Sequence, residues 1–317
     1  MNRLLQFEGL DHVVLPAGPL HLAIGMFDGV HRGHRTVIEA AVQAARTSGG
    51  VAAVLTFWPH PSALFRPEQA TRLIQDGPAK ARVLQHLGVD AVITQAFTPE
   101  FAVVPAEEFL GWLQKRLPAL AAVYVGENFR FGRGRAGDVK VLAESARRQG
   151  VVLFTAPRVQ ADADAISSTR IRALLENGDI AAANALLGYA YFAEGTVVGG
   201  KQLGRTIGFP TLNLAWSPAL RPKLGVYAVR VSGANSSVPL PAVANYGLRP
   251  TVEQATAPRL EVHVLGACPF GAGDRITVEW LEFLRPERRF AGLDELRAQI
   301  VRDRDAARNY FGLPASA

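Results

Sequence analysis

Cysteine is nearly absent: Cys268 is the single thiol among 317 residues. One thiol can build neither a disulfide framework nor a cysteine zinc site, and it suits a reducing, cytoplasmic setting. No run of about 18 apolar residues occurs, so no membrane span is expected. The first ten residues scatter Arg3, Gln6 and Glu8 among apolar positions, unlike the blocks of a signal peptide. No Gly-x4-Gly-Lys-Ser/Thr stretch exists, which excludes a P-loop. There is no internal repeat, no low-complexity tract and no long Lys/Arg run with interleaved aromatics. The net charge of +6 therefore reads as a mildly basic surface that suits small polyphosphates better than nucleic acid.

What is present is a well-provisioned core. Hydrophobic residues make up 49% and charged residues 20% of a chain long enough for two domains. In the first half, short apolar runs at 20–25, 51–57, 91–94, 121–125 and 151–155 alternate with helical patterns at 36–45, 79–87, 106–117 and 139–149. Such alternation predicts a parallel sheet covered on both faces, with ligands outside the carboxyl ends of its strands. From Tyr191 the pattern changes to short strands broken by Gly, Pro, Asn and Ser, at 191–198, 225–231, 238–244, 259–265 and 276–283. These predict a small antiparallel β-barrel, with 233–241 as a surface hairpin loop. A last helix over 293–310 places Leu293, Leu296 and Ile300 on one face. The expected division is 1–186 and 187–317.

The run Gly25-Met26-Phe27-Asp28-Gly29-Val30-His31-Arg32-Gly33-His34 follows the first long strand and opens a helix. Backbone N–H groups and the positive helix end fall where a triphosphate could bind, and the glycines allow close approach. His31 and His34, three apart, would share a helical face and offset charge on a phosphoryl group. A metal site is the competing reading, but no third ligand is evident. Ser167 or Ser168 would cap a further helix over SSTRIR, with free N–H groups toward a phosphate. His60, between two prolines, is expected to shape a loop. Gly132, Gly134 and Gly137 spell GxGxxG, yet Asn128 to Phe131 separate them from the strand. A flexible basic loop carrying Arg130, Arg133 and Arg135 fits better than a dinucleotide fingerprint.

In the second half, Thr211 and Asn213 alternate on an extended segment, so their oxygens face one side and suit Mg²⁺ carried in with ATP. Glu261 and His263 share a face of a barrel strand. A carboxylate there could serve as general base toward a primary hydroxyl.

Four stretches in order, GMFDGVHRGH, TFWPHP, GENFRFG and ISSTRIR, together with GRTIGFPTLNL, GVYA, NYGLRPT, LEVHV and LRPE, resemble bacterial bifunctional riboflavin kinase/FMN adenylyltransferases over nearly the whole chain. The resemblance implies a nucleotidylyltransferase-like domain followed by a riboflavin kinase barrel, with riboflavin, FMN, ATP and FAD as substrates and products. It places His31, His34 and Arg170 on ATP phosphates, with Gly25, Phe27, Asp28, Gly29, Gly33, Ser168 and Thr169. Phe57, Pro59, Pro61 and Asn128 would border the flavin. In the barrel it implies ATP contacts from Gly204, Arg205, Gly208 and Pro210, flavin contacts from Arg249 and Arg285, Mg²⁺ on Thr211 and Asn213, and Glu261 as base. No nucleic-acid or membrane partner is expected, and the chain would be a monomer or weak homo-oligomer. Two stretches depart from the family. Gly199 and Leu203 stand where a histidine and an arginine are usual, and 266–273 (GACPFGAG) has lost an acid and a tyrosine. They motivate one alternative: an adenylyltransferase whose barrel only binds flavin.

Overall fold

The computed structural model describes residues 3–200, 208–248 and 258–314. The chain divides into two compact units, Met1–Ser168 and Thr169–Ala317. Within the second unit, two bonds tie one helix to the barrel. The Asn184 Nδ2 donates to the Trp280 carbonyl, and its Oδ1 accepts from the Tyr191 N–H. The helix carrying Asn184 is thereby stitched to the barrel.

The first unit is built on β1 (Leu5–Glu8), β2 (Leu20–Ile24), β3 (Val51–Trp58), β4 (Ala91–Ala96), β5 (Leu120–Gly126) and β6 (Val152–Ala156). These pair in parallel in the order β1-β4-β3-β2-β5-β6. The order reverses between β2 and β5, and such a switch point opens a crevice at the carboxyl ends of those strands. The loop 25–31 leaves β2 at that crevice. β1 has too few residues to show a strand period by sequence, and it forms because β4 offers it an edge. Helices α1 (Arg32–Ser48), α2 (Pro61–Phe65), α3 (Gly77–His86), α4 (Pro99–Ala102), α5 (Ala106–Arg116) and α6 (Val139–Gln149) connect the strands. α1 shows how the sequence specifies them. His31 caps its start, Val37, Ile38, Ala41 and Ala45 line its buried stripe, and Gly49 ends it in the left-handed region. The main core includes Leu22, Ile24, Leu55, Ile93, Leu110, Val123 and Leu142, each buried side chain of this size stabilising the fold by about 1.5–3 kcal/mol. A short hairpin, β7 (Gln160–Ala161) and β8 (Asp164–Ala165), precedes α7 (Ser168–Asn177).

The second unit continues from α7 into α8 (Ile180–Leu187). It then closes a barrel of β9 (Phe192–Val198), β10 (Leu212–Leu214), β11 (Gly225–Gly233), β12 (Ser236–Gly247), β13 (Arg259–Val264) and β14 (Arg275–Pro286) in the order β10-β13-β12-β11-β14-β9. The expected parallel-sheet unit and antiparallel barrel are both present. Trp280, Tyr191, Tyr227 and Tyr246 are fully buried in the barrel, with the Tyr227 and Trp280 rings 4.5 Å apart. One expectation needs correcting. Residues 236–241 are strand and not loop, because Pro241 and Leu240 pair with Arg230 and Val231 of β11. The last helix, α9 (Leu293–Tyr310), buries Gln299, Asp303 and Ala307, while Leu293 stays exposed. A polar anchor joins the apolar packing of Ala307: Arg285 grips Asp303 at 2.7 and 2.6 Å, and Gln299 adds a bond to the same carboxylate.

Candidate active sites

In the first unit, the loop after β2 is tightly curled. Phe27, Gly29 and Val30 all have positive φ, at 46°, 80° and 37°. Such angles are costly for Phe and Val and concentrate at functional sites. The turn folds the Phe27 ring back over Gly25, where an added Cβ would sit 3.0 Å from the ring. Tethers hold it. The buried Asp28 carboxylate accepts from the Ile74 N–H at 2.9 Å, and the Asp28 carbonyl accepts from Ser168 Oγ at 2.9 Å. The motif at the start of α7 is thus bonded to the motif after β2, though 140 residues apart in the chain.

His31 is the N-cap of α1 and not a helical residue. Its Nδ1 accepts from the His34 N–H at 3.3 Å. An accepting Nδ1 leaves the proton on Nε2, which is a donor. The His31 and His34 rings stack at 3.6 Å, and Phe27 meets His34 edge-on at 5.4 Å. Gly33 is needed here, since a Cβ would lie 3.2 Å from the His31 ring. Burial drives His31 down to about 4, and pushes His34 well below its ordinary value, with His31 and Lys80 adding to the effect. Both imidazoles are neutral at pH 7 in the free chain. In that state they can donate hydrogen bonds to an anion. His34 Nδ1 is enclosed without a protein partner.

The aromatic wall beside this crevice is larger than the sequence indicated. Phe57 packs on Phe101 at 5.5 Å and Phe97 at 6.2 Å, and Phe65 meets Phe97 at 6.0 Å. Trp58 and Phe65 expose large apolar surface, 57% and 62%. Pro59 is exposed and Pro61 opens α2, which His60 caps by accepting from the Ser62 N–H. Asn128 is exposed at the end of β5. The 132–137 loop is pinned rather than flexible. Phe131 and Gly137 bridge each other, Arg133 N–H bonds to the Val104 carbonyl, and Arg130 pairs with Asp138 at 3.3 Å. Thr169 and Arg170 occupy the first turn of α7.

In the second unit, β10 and β13 bring Asn213 opposite Glu261, and β12 brings Asn245 to the other side of Glu261. Along β13, Leu260, Val262 and Val264 are buried while Glu261 and His263 are half-buried on the other face. His263 bonds to the Pro210 carbonyl at 2.9 Å and meets Phe209 edge-on, so it supports the segment entering β10. Asn213 Oδ1 is buried with no hydrogen-bond partner among the described residues. An orphaned hard oxygen fits a Mg²⁺ ligand. Gly208, Pro210 and Thr211 are exposed beside it. Arg285 spends three donors on Asp303 and the Pro286 carbonyl. Gly204, Arg205 and Arg249 lie outside the described residues. The divergent 266–273 loop is anchored by Phe270, buried against Gly233 at the β11–β12 turn, and by the Gly271 N–H bond to Asp274.

Comparison with known families matches both units. The FAD synthetase family model covers residues 17–170 and the riboflavin kinase model residues 187–311. A bifunctional riboflavin kinase/FMN adenylyltransferase of Escherichia coli K12 is 40% identical over 296 residues, spanning 93% of this chain and 94% of its own. The chain belongs to the bifunctional riboflavin kinase/FMN adenylyltransferase family. The same-named protein of Bacillus subtilis is 35% identical over 294 residues, 92% of each chain. A crystal structure described as a macrolide-efflux protein from Streptococcus pneumoniae superposes with a TM-score of 0.84 at 27% identity, covering 96% of this chain and 99% of that one. Among the described residues, no helix of this family member is long and apolar enough to cross a membrane. Sequence reasoning missed Phe65, Phe97, Phe101 and Lys80. Lys80 left a signal: it sits in register with Val83 and Leu84 on the buried stripe of α3, where a lysine is out of place.

Proposed function

We propose that the chain makes FAD in two ATP-dependent steps, phosphorylating riboflavin to FMN in residues 187–317 and adenylylating FMN in residues 1–186. The carrying observation is that both family models match one chain. The same observation favours two activities over the adenylyltransferase-only alternative.

For adenylylation, the FMN phosphate attacks the α-phosphate of ATP and pyrophosphate leaves. The His31 Nε2–H and the N–H groups at the start of α1 hold phosphate oxygens as charge shifts toward the leaving group. Arg170, Ser168 and Thr169 add contacts from α7. Phe57, Pro59 and Pro61 flank the flavin ring, and Asn128 lies near its phosphate. For phosphorylation, Glu261 takes the proton of the ribityl hydroxyl as it attacks the γ-phosphate, and ADP leaves. Thr211 and Asn213 would hold Mg²⁺, which neutralises phosphate charge when bound. Gly204, Arg205, Gly208 and Pro210 would border ATP, and Arg249 and Arg285 the flavin. The exposed thiol of Cys268 suits a cytoplasmic protein.

The test is a coupled assay on purified protein with riboflavin, ATP and Mg²⁺, separating FMN and FAD. His31→Ala should stop FAD formation and spare FMN formation, and Glu261→Ala should do the reverse. Losses of roughly 10²–10⁴ are expected. FAD formation that survives His31→Ala would remove the adenylylation assignment.

A further inference from the structure

The histidine pair is neutral in the free chain, and a buried lysine lies beside it. Lys80 is 6% exposed. It projects from α3 between two elements of the site, with Nζ donating to the Met26 carbonyl at 2.9 Å and to Thr56 Oγ1 at 3.2 Å. Thr56 Oγ1 itself donates to the same Met26 carbonyl at 3.0 Å. Met26 belongs to the curled loop after β2, and Thr56 to the carboxyl end of β3. An ammonium has three N–H donors, and the protein takes two. A buried ammonium that keeps a donor unspent is costly unless something anionic completes it.

We infer that Lys80 is the buried cation of the adenylylation site: a positioning residue that fixes the phosphate loop through Met26 and sets a positive charge behind the histidine pair for the phosphates of a nucleotide. The inference rests on the adenylylation reading of that site.

The charged groups around Lys80 agree. Asp28, from the loop, favours its ammonium form. His34, from α1, is pushed toward neutrality by it. β3 contributes only the uncharged Thr56. On α3 itself, Asp76 is occupied capping the Ala79 N–H. Burial lowers Lys80 to about 8, so it is mostly charged at pH 7 and loses its proton in mildly alkaline solution. Without bound phosphate, burial chiefly keeps His34 neutral, with His31 and Lys80 adding to it, and the Lys80 charge supplies the attraction. Arriving phosphates would reinforce the ammonium.

The experiment compares Lys80→Met, Lys80→Arg and the unsubstituted chain. FAD formation from FMN and ATP is followed across pH 6 to 10, and riboflavin phosphorylation is measured in the same samples. For the unsubstituted chain, kcat/KM for ATP should fall above about pH 8, the free-enzyme value for Lys80. Lys80→Met should lose about 10²-fold in adenylylation, have no alkaline limb and keep phosphorylation. Lys80→Arg should recover part of the activity with the alkaline limb abolished, because guanidinium does not titrate there. A purely structural lysine would leave the pH profile unchanged in shape. Should Lys80→Met fail to fold, Thr56→Val keeps the charge but removes one bond, and the alkaline limb should move to lower pH. Undiminished FAD formation by Lys80→Met, or an alkaline limb that persists in Lys80→Arg or stays put in Thr56→Val, would overturn the inference alone. An unsubstituted chain that makes no FAD from FMN would overturn the adenylylation reading beneath it.

Discussion

Replacing His31 by asparagine should remove a defined part of the acid sensitivity of the first unit. An asparagine keeps an N-cap acceptor for α1 but cannot titrate. His31 ordinarily titrates at 6.5 and burial lowers it to about 4 in the fold. Between those values the unfolded chain holds a proton there and the folded chain does not. Stability contributed by the neutral imidazole is therefore present above pH 6.5 and is lost as pH falls toward 4. From pH 7 to pH 5 the loss attributable to His31 is about 2 kcal/mol, approaching about 3 kcal/mol below pH 4. A change of about 2 kcal/mol alters the folded-to-unfolded ratio about 30-fold. Hydrogen exchange of the α1 and β2 amides in dilute urea reads the unit containing them. On acidification from pH 7 to pH 5, corrected for intrinsic exchange, protection should fall about 30-fold more in the unsubstituted chain than in His31→Asn. Equal falls would refute the buried, neutral assignment of His31.

Three further outcomes are expected. Asn213→Leu removes the orphaned oxygen and should raise the Mg²⁺ concentration for half-maximal FMN formation at least about tenfold, read by titrating Mg²⁺ at fixed ATP. Gly132→Ala should lower the stability of the first unit by about 1–2 kcal/mol or more in urea unfolding, because Gly132 has φ 71° and a Cβ would lie 2.7 Å from the Ala106 Cα. Asp303→Ala strands Arg285 in a largely buried place and should destabilise the barrel by about 3 kcal/mol, seen as lower barrel thermal stability and faster exchange in α9.

The sequence by itself determined the sheet, the barrel and most motif residues. Period and punctuation are local properties: near-continuous apolar runs such as 51–57 specify a strand buried on both faces, and Gly49 marks where α1 must stop. The phosphate loop was legible for the same reason, because strand, glycines and helix start are contiguous. Only the tertiary structure decided what depends on burial and on partners remote in the chain. It turned the histidines neutral, because stacking and enclosure remove the water that would stabilise their charge. It brought Lys80 to Met26 across 54 positions and Ser168 to Asp28 across 140, distances over which sequence pattern carries no signal. It also seated α9 through the Asp303–Arg285 pair, 18 residues apart, together with Ala307, while Leu293 stays exposed. The opening motif was visible in the chain, but the bonds that tie Lys80 to it became visible only in the folded protein.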